Sequence, residues 1–331
     1  MYLHSFFKRI SIFVLLCSAN AGLGLAAGSA PHIERQQWSF EGVKGQFDRA
    51  QLQRGFQIYK EVCSACHGLK RVYWRNLVEK GGPEFPEEAV KALAGEWPNQ
   101  ITDGPNDAGE MFERPALLSD PILGPYKNEK AARAAQNGAL PPDLSLIARA
   151  RNPEYHGSVF GHPTHMIKDI ISAYQEGGPD YIYALLNGYK EIPTYSRDEK
   201  GHLHLVGSDS ADAKNPEACV SITKGEDGNP DTCVTLSDGM NYNAAFPGGQ
   251  IAMPAMLSDG AVQYMKGADG KPVAPETVDQ YARDIASFLA WAADPHLNER
   301  KKIGWQALLF ILVTTVLLFI GKKRIWSRVE H

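Results

Sequence analysis

Residues 63–67 read Cys63-Ser64-Ala65-Cys66-His67, and the stretch leading into them reads Gln51-Leu52-Gln53-Arg54-Gly55-Phe56-Gln57-Ile58-Tyr59. Two thiols three positions apart can each add to one haem vinyl group, and the imidazole that follows is then held beneath the iron as an axial ligand. A thioredoxin-like redox pair would sit at a strand end in a βαβ pattern, and a zinc site needs a second ligand pair at short spacing. Neither context is present. The motif therefore reads as covalent attachment of one haem c through Cys63 and Cys66, with His67 as an iron ligand. Between Asp48 and Val62, the residues Leu52, Phe56, Tyr59 and Cys63 share one helical stripe, and Gly55 breaks its bulk. A helix delivers the cysteines.

Far downstream, Glu276 to Ala293 repeats the pattern with Val278, Tyr281, Ala282, Ile285, Phe288, Leu289 and Ala292 on one stripe, and Pro295 stops it. A helix before the haem motif and another at the end of the soluble part are the pair that a class I cytochrome c crosses, with the glycine allowing close approach. The expected fold is mainly α: a class I cytochrome c-like haem domain with long loop insertions, plus one C-terminal transmembrane helix. Periodicity by itself leaves open two unrelated amphipathic helices. The region between them is rich in turns, including Gly104-Pro105, Pro141-Pro142, Gly177-Gly178 and Pro247-Gly248-Gly249, around short helical stretches at Glu129–Gln136 and Tyr181–Leu186. A polar segment from Ser196 to Asn243 carries many acidic residues, among them Asp198, Glu199, Asp209, Asp212, Glu217, Glu226, Asp227, Asp231 and Asp238, and reads as a surface excursion.

The chain has 331 residues, 44% hydrophobic and 22% charged, with a formal net charge of −4. That composition supports a real core and gives no basic surface for nucleic acid. Lys8 and Arg9, the apolar run Ile10 to Cys17 and the small residues Ala26 to Ala30 form a secretory leader, with an uncleaved anchor as the alternative. Export leaves Cys219 and Cys233 as one pair in an oxidising compartment, where a disulfide stabilises the fold by about 3 kcal/mol on a chain-entropy argument; two free thiols are the other possibility. Ile303 to Ile320 carries no charge, and its 18 residues span roughly 27 Å as a helix, enough to cross a bilayer. Arg300, Lys301 and Lys302 precede it and Lys322, Lys323, Arg324 and Arg328 follow. The expected organisation is a leader over 1–28, a haem c domain over 29–302, an anchor over 303–321 and a tail over 322–331. The exported body before the anchor directs the tail to the cytoplasm and leaves the haem domain outside the cytoplasmic face.

A His-ligated haem used for electron transfer needs a second strong ligand, and methionine raises its potential. Met253 lies in Gly249-Gln250-Ile251-Ala252-Met253-Pro254, where the proline fixes the backbone just past the sulfur. Met256 is the near competitor, and Met111, Met166, Met240 and Met265 are the other candidates. His156, His162 and His165 cluster without interleaved acids or thiols and read as a polar loop, and His202 and His204 are similarly weak as ligands.

Taken together, the stretches quoted above, with Asp103-Gly104-Pro105-Asn106, Met111-Phe112-Glu113-Arg114-Pro115, Asn137-Gly138-Ala139-Leu140-Pro141-Pro142-Asp143-Leu144-Ser145, the run Tyr181 to Tyr189, and Trp291-Ala292-Ala293-Asp294-Pro295, resemble the cytochrome c1 family over nearly all of the mature chain. The resemblance implies the haem c subunit of ubiquinol:cytochrome c reductase, the cytochrome bc1 complex, in its bacterial form. His67 and Met253 would then be the axial ligands, Arg151 would pair with a haem propionate, and Tyr181 would line the same pocket. Residues 152–175 read as an insertion relative to the family. The implied partners are cytochrome b, a Rieske iron–sulfur protein that delivers one electron, and a c-type cytochrome that receives it; the subunit does no bond chemistry on its own. Asp198, Glu199, Glu226 and Asp227 would steer a basic cytochrome partner. A free-standing anchored cytochrome c shuttle needs far fewer residues than lie between His67 and Met253. A haem enzyme or sensor with an open iron would lack the methionine ligand.

Overall fold

A computed structural model describes residues 31, 33–151, 177–206, 216–225 and 229–327. The leader, the 152–175 insertion with its three histidines, and Asp209, Asp212, Glu226, Asp227 and Arg328 lie outside the described residues. The helices are α1 Arg49–Glu61, α2 Glu87–Gly95, α3 Glu129–Ala135, α4 Ile147–Ala150, α5 Gly178–Leu186, α6 Val278–Ala293 and α7 Leu297–Trp326.

Helix α1 starts at Asp48, whose carboxylate accepts from the Gln51 amide at 2.9 Å, and α6 starts at Thr277, whose hydroxyl accepts from the Gln280 amide. Both caps satisfy amides that the first turn leaves without partners. The buried faces are Leu52, Gly55, Phe56, Ile58 and Tyr59 on α1, and Tyr281, Ile285, Phe288, Leu289 and Trp291 among others on α6. The two helices cross at Gly55. A Cβ added there would lie 2.2 Å from the Asp284 carbonyl oxygen and 2.6 Å from the Phe288 Cβ, so only glycine lets the backbones approach this closely. Phe56 and Phe288 meet across the crossing with ring centroids 5.7 Å apart, and Tyr59 stacks on Trp97.

A buried polar knot locks the same crossing. Asp284 is fully buried, and Arg54 donates to both its carboxylate oxygens at 2.7 and 2.9 Å. Tyr264 and Gln280 add bonds at 2.8 and 2.9 Å. A buried carboxylate is tolerated only with such full satisfaction.

Helices form the core, while the turn-rich connecting chain pairs into short antiparallel ladders. Leu69–Tyr73 pairs with Pro121–Ile122, Ile101–Asp103 with Phe112–Arg114, and Asn241–Tyr242 with Gln250–Ile251. Helix α7 is longer than its apolar stretch, running from Leu297, which is buried, to Trp326, and its large apolar side chains are exposed from Ile303 to Trp326.

Pro193–Thr235 forms a compact unit of its own. In it Thr194–Arg197 is flanked by Leu203–Leu205 and Glu217–Ala218, and Ser221–Thr223 pairs with Thr232–Val234. Cys219 and Cys233 are joined by a disulfide, with Cα atoms 5.3 Å apart, on neighbouring segments. Several acids of the excursion are committed to this unit rather than offered to a partner. Asp198 accepts from the amides of Lys200 and His202 and from His204, Glu217 forms a two-pronged pair with Arg197, and buried Asp231 accepts from the amides of Leu203 and Gly225.

Those amide bonds to Asp231, with His202 beside it, hold its carboxyl down at about 2. A depressed folded-state pKa contributes stability above the unfolded value, and that stability is lost as pH falls through about 2. Hydrogen-exchange protection of the Leu203 and Gly225 amides, referenced to intrinsic rates, should therefore weaken as pH drops from about 4 to about 2. Asp231→Asn should give weak protection that no longer follows pH in this window; a persisting pH dependence would assign it to another group.

Candidate haem site

Helix α1 hands the chain directly to a 3-10 turn, Cys63–Ala65, in which the amides of Cys66 and His67 both bond the Cys63 carbonyl at 3.1 and 2.9 Å. The turn presents Cys63, Cys66 and His67 half-buried on one short segment. Burial pushes the Cys63 thiol up to about 12. The Tyr59 hydroxyl, one turn earlier, donates to the His67 carbonyl at 3.0 Å and ties the end of the motif back to the helix.

The His67 ring is fixed by one bond. Its Nδ1 lies 2.7 Å from the Pro142 carbonyl oxygen, which can only accept, so Nδ1 carries the proton and Nε2 keeps its lone pair for a metal. Burial lowers the pKa of this imidazole against the opposing pull of the Pro142 carbonyl and Asp143, which favours the neutral, ligating form. A backbone bond of this kind at one ring nitrogen fixes the orientation of the ring and leaves the other nitrogen for a ligand.

Pro142 is itself held by the residues around it. Asp143 accepts from the Lys70 amide at 2.9 Å, Leu144 donates to the Gly68 carbonyl at 2.9 Å, and the Ser145 hydroxyl accepts from the Arg71 amide at 3.0 Å. Gly68 faces Gly124 so closely that a Cβ on Gly68 would come within 2.7 Å of the Gly124 nitrogen. From the other side Gln136 reaches the Cys66 sulfur at 3.6 Å and the Tyr126 hydroxyl at 2.6 Å. The segment 136–145 is thus laced onto the haem motif. In the sequence Pro141-Pro142 marks a turn, and nothing local shows that its carbonyl meets His67; the two successive fixed φ angles are the signal that this backbone is held.

Met253 follows the strand Gln250–Ile251 and is half-buried. The Tyr189 hydroxyl donates to its carbonyl at 3.0 Å. Asn243 braces the same loop, bonding the Leu185 carbonyl at 2.8 Å through its amide nitrogen, while the Ala244 amide bonds the Gly188 carbonyl at 2.8 Å. The methionine loop is therefore docked onto the end of α5. Three of the competing methionines are exposed, Met256 at 48%, Met111 at 60% and Met265 at 77%, while Met240 is half-buried as Met253 is. Met166 lies outside the described residues, and no hydrogen bond organises a turn around Met256 as Tyr189 does for Met253 among the described residues.

Tyr181 sits on the buried face of α5, and burial raises its pKa while the nearby charge of Arg151 lowers it. Arg151 is exposed at the C-terminal end of α4. Tyr181 also acts electrostatically on Tyr189. The structure thus brings Arg151, Tyr181, Tyr189 and the Met253 loop into one series of neighbours, and Cys63, Cys66, His67, Gln136 and Pro142 into another. His202 and His204 pair with Asp231 and Asp198 inside the Pro193–Thr235 unit. The described residues that cluster as metal ligands are Glu217, Cys219 and Cys233, and the disulfide consumes both thiols.

The donor set fits a covalently attached haem: two thiols on one turn, an imidazole with its Nε2 lone pair directed away from its backbone anchor, and a thioether on a braced loop. Comparison with known proteins agrees. Residues 38–329 match the family described as the Cytochrome C1 family. The chain is 37% identical to cytochrome c1 of Blastochloris viridis, over 98% of this chain and 96% of that one. It is 36% identical to a mitochondrial cytochrome c1 heme protein of Arabidopsis thaliana, over 88% of this chain and 71% of the relative. A cytochrome b/c1 of Bradyrhizobium diazoefficiens is 42% identical over 88% of this chain, which spans only 35% of that longer relative. With a match over nearly the whole described length and a relative aligned almost end to end, the chain belongs to the cytochrome c1 family.

Proposed function

We propose that the chain is the haem c electron-transfer subunit of a cytochrome bc1 complex, in which it takes one electron from the Rieske iron–sulfur protein and passes it to a c-type cytochrome. The observation that carries this reading is the His67 imidazole fixed through Nδ1 to Pro142 beside two thiols spaced for thioether attachment. The bound haem supplies reversible one-electron chemistry at iron. Cys63 and Cys66 would hold it through thioether bonds, and His67 and Met253 would supply the ligands to its iron. Pro142 holds the imidazole in its ligating tautomer, and Tyr189 holds the loop that brings the thioether. Arg151 offers a charge for a propionate, and Tyr181 closes the adjacent wall.

The crossing of α1 and α6 supports a class I cytochrome c architecture with the intervening loops inserted into it. Helix α7 supports a single membrane anchor, with the haem domain in the periplasm of a bacterial inner membrane and the C-terminus in the cytoplasm. The bounds proposed are a leader over 1–28, the haem domain over 29–302, the anchor over 303–321 and the tail over 322–331. The Cys219–Cys233 bond pins the acidic excursion in an oxidising compartment.

Purification in mild detergent tests the assembly. Cytochrome b and the iron–sulfur protein should co-purify with the haem c chain, and recovery of the chain alone would favour the anchored shuttle. Steering is tested separately. Asp198 is occupied by its own turn, so Glu199, Glu226 and Asp227 are the acids to neutralise, and doing so should slow oxidation by a basic cytochrome at low salt but not at high salt. Equal rates in both buffers would remove the steering role.

A further inference from the structure

We propose that the Asp143 carboxylate sets the working potential of the haem held through His67, keeping it lower than the pocket would otherwise give, so that the electron leaves readily for the acceptor. The proposal rests on reading His67 as an iron ligand. This acid lies in Pro141-Pro142-Asp143, far from the acidic excursion in sequence, and nothing in its local composition marks it as a tuning group.

Its position is fixed from two sides. On its own segment Asp143 follows Pro142, whose carbonyl oxygen lies 2.7 Å from His67 Nδ1, so the acid is the next residue after the group that orients the ring. Facing it is the chain that leaves His67. One carboxylate oxygen, Oδ2, accepts from the Lys70 amide at 2.9 Å, and the other, Oδ1, from the Ser145 amide at 3.1 Å. A Cβ built on Gly68, the residue after His67, would lie 3.3 Å from Oδ2. With both oxygens bonded, the charge stays at one place beside the ligand. Both bonds come from backbone amides, which hold the carboxylate without bringing a counter-charge to it.

Asp143 is half-buried, and its charge acts on the His67 imidazole and on the buried Tyr59 hydroxyl, which donates to the His67 carbonyl at 3.0 Å. The basic side chains nearest to this bond, Lys70 and Arg71, are exposed, where water and salt screen them more strongly. Oxidation of a haem iron adds one positive charge. A fixed anion beside the axial imidazole therefore favours the ferric form and lowers the potential, against the upward pull of methionine ligation.

The test is a spectroscopic redox titration of the haem in the detergent-purified complex containing the full chain. Asp143→Asn keeps the side-chain volume and an acceptor for one amide while removing the charge. At a fixed ambient potential its ratio of reduced to oxidised haem should be about three- to tenfold that of the unaltered chain, tenfold being ~59 mV for one electron. Asp143→Glu keeps the charge and disturbs the two amide bonds, and its ratio should stay within about twofold of the unaltered chain. Asp143→Ser, neutral and still able to accept from an amide, should shift as Asp143→Asn does, and it carries the test if the asparagine variant fails to accumulate. The methionine-to-iron band should persist in all three. An unshifted ratio in the neutral variants would overturn the proposal. So would a shift in Asp143→Glu as large as theirs and in the same direction, or loss of the band in both neutral variants, since either would assign the effect to geometry rather than charge. An unaltered complex without covalent haem, or without histidine ligation of its iron, would instead overturn the haem reading.

Discussion

Met253→Leu should abolish the methionine-to-iron charge-transfer band and lower the midpoint potential by on the order of 0.1 V, within the ~0.8 V range that axial ligands command. Leucine nearly matches methionine in volume, so the braced loop should survive while its sulfur is lost. Met256→Leu, three positions on, should leave band and potential in place, because that side chain is 48% exposed and its turn lacks the tether that Tyr189 gives Met253. Tyr189→Phe separates ligation from loop positioning. The band should persist, since the sulfur remains, but the bond to the Met253 carbonyl is gone, and an added strong ligand such as imidazole should displace the methionine at lower concentration. Loss of the band in Met256→Leu would move the ligand, and unchanged imidazole displacement in Tyr189→Phe would remove the tyrosine's positioning role.

What was legible in the sequence follows the range over which each feature is determined. The heme-delivering helix and its partner were readable because amphipathic stripes and caps are local; the expected Glu276–Ala293 became Val278–Ala293. The glycine at the crossing was readable because a small residue on an apolar face has few other uses. Pro142 and Tyr189 were not readable as holders of His67 and Met253, because each acts on a residue 75 or 64 positions away through a backbone carbonyl, which leaves no mark on composition. Asp284 illustrates the converse: a charged residue in the middle of an apolar stripe is explained only by Arg54 and Tyr264, brought to it by the fold. The acidic excursion misled in another way. Counting its carboxylates suggested a free field for a partner, yet Asp198, Glu217 and Asp231 are internal fasteners of a small β unit. Net charge cannot tell a steering group from one spent on its own turn.

Gly55→Ala should strongly destabilise the haem domain. The new Cβ would lie 2.2 Å from the Asp284 carbonyl oxygen and 2.6 Å from the Phe288 Cβ, distances that demand movement of backbone rather than of a flexible tip. Separating the helices also pulls Arg54 from the buried Asp284 carboxylate, leaving charge without full compensation. Overpacking costs about 1–3 kcal/mol and the strained ion pair adds to it, so the melting temperature should fall by roughly 5–10 °C for a domain of this size. Gly95→Ala provides the control, since nothing lies within 4 Å of its added Cβ at the end of α2, and its melting temperature should stay the same or rise slightly. The effect should also reach the haem. Helix α1 runs straight into the Cys63–Ala65 turn, so a displaced α1 moves both thioether anchors and His67 relative to Pro142, and the methionine-to-iron band should weaken before the domain melts. An unchanged melting temperature in Gly55→Ala would mean that α1 and α6 do not cross at this residue, and the class I reading of the haem domain would fall with it.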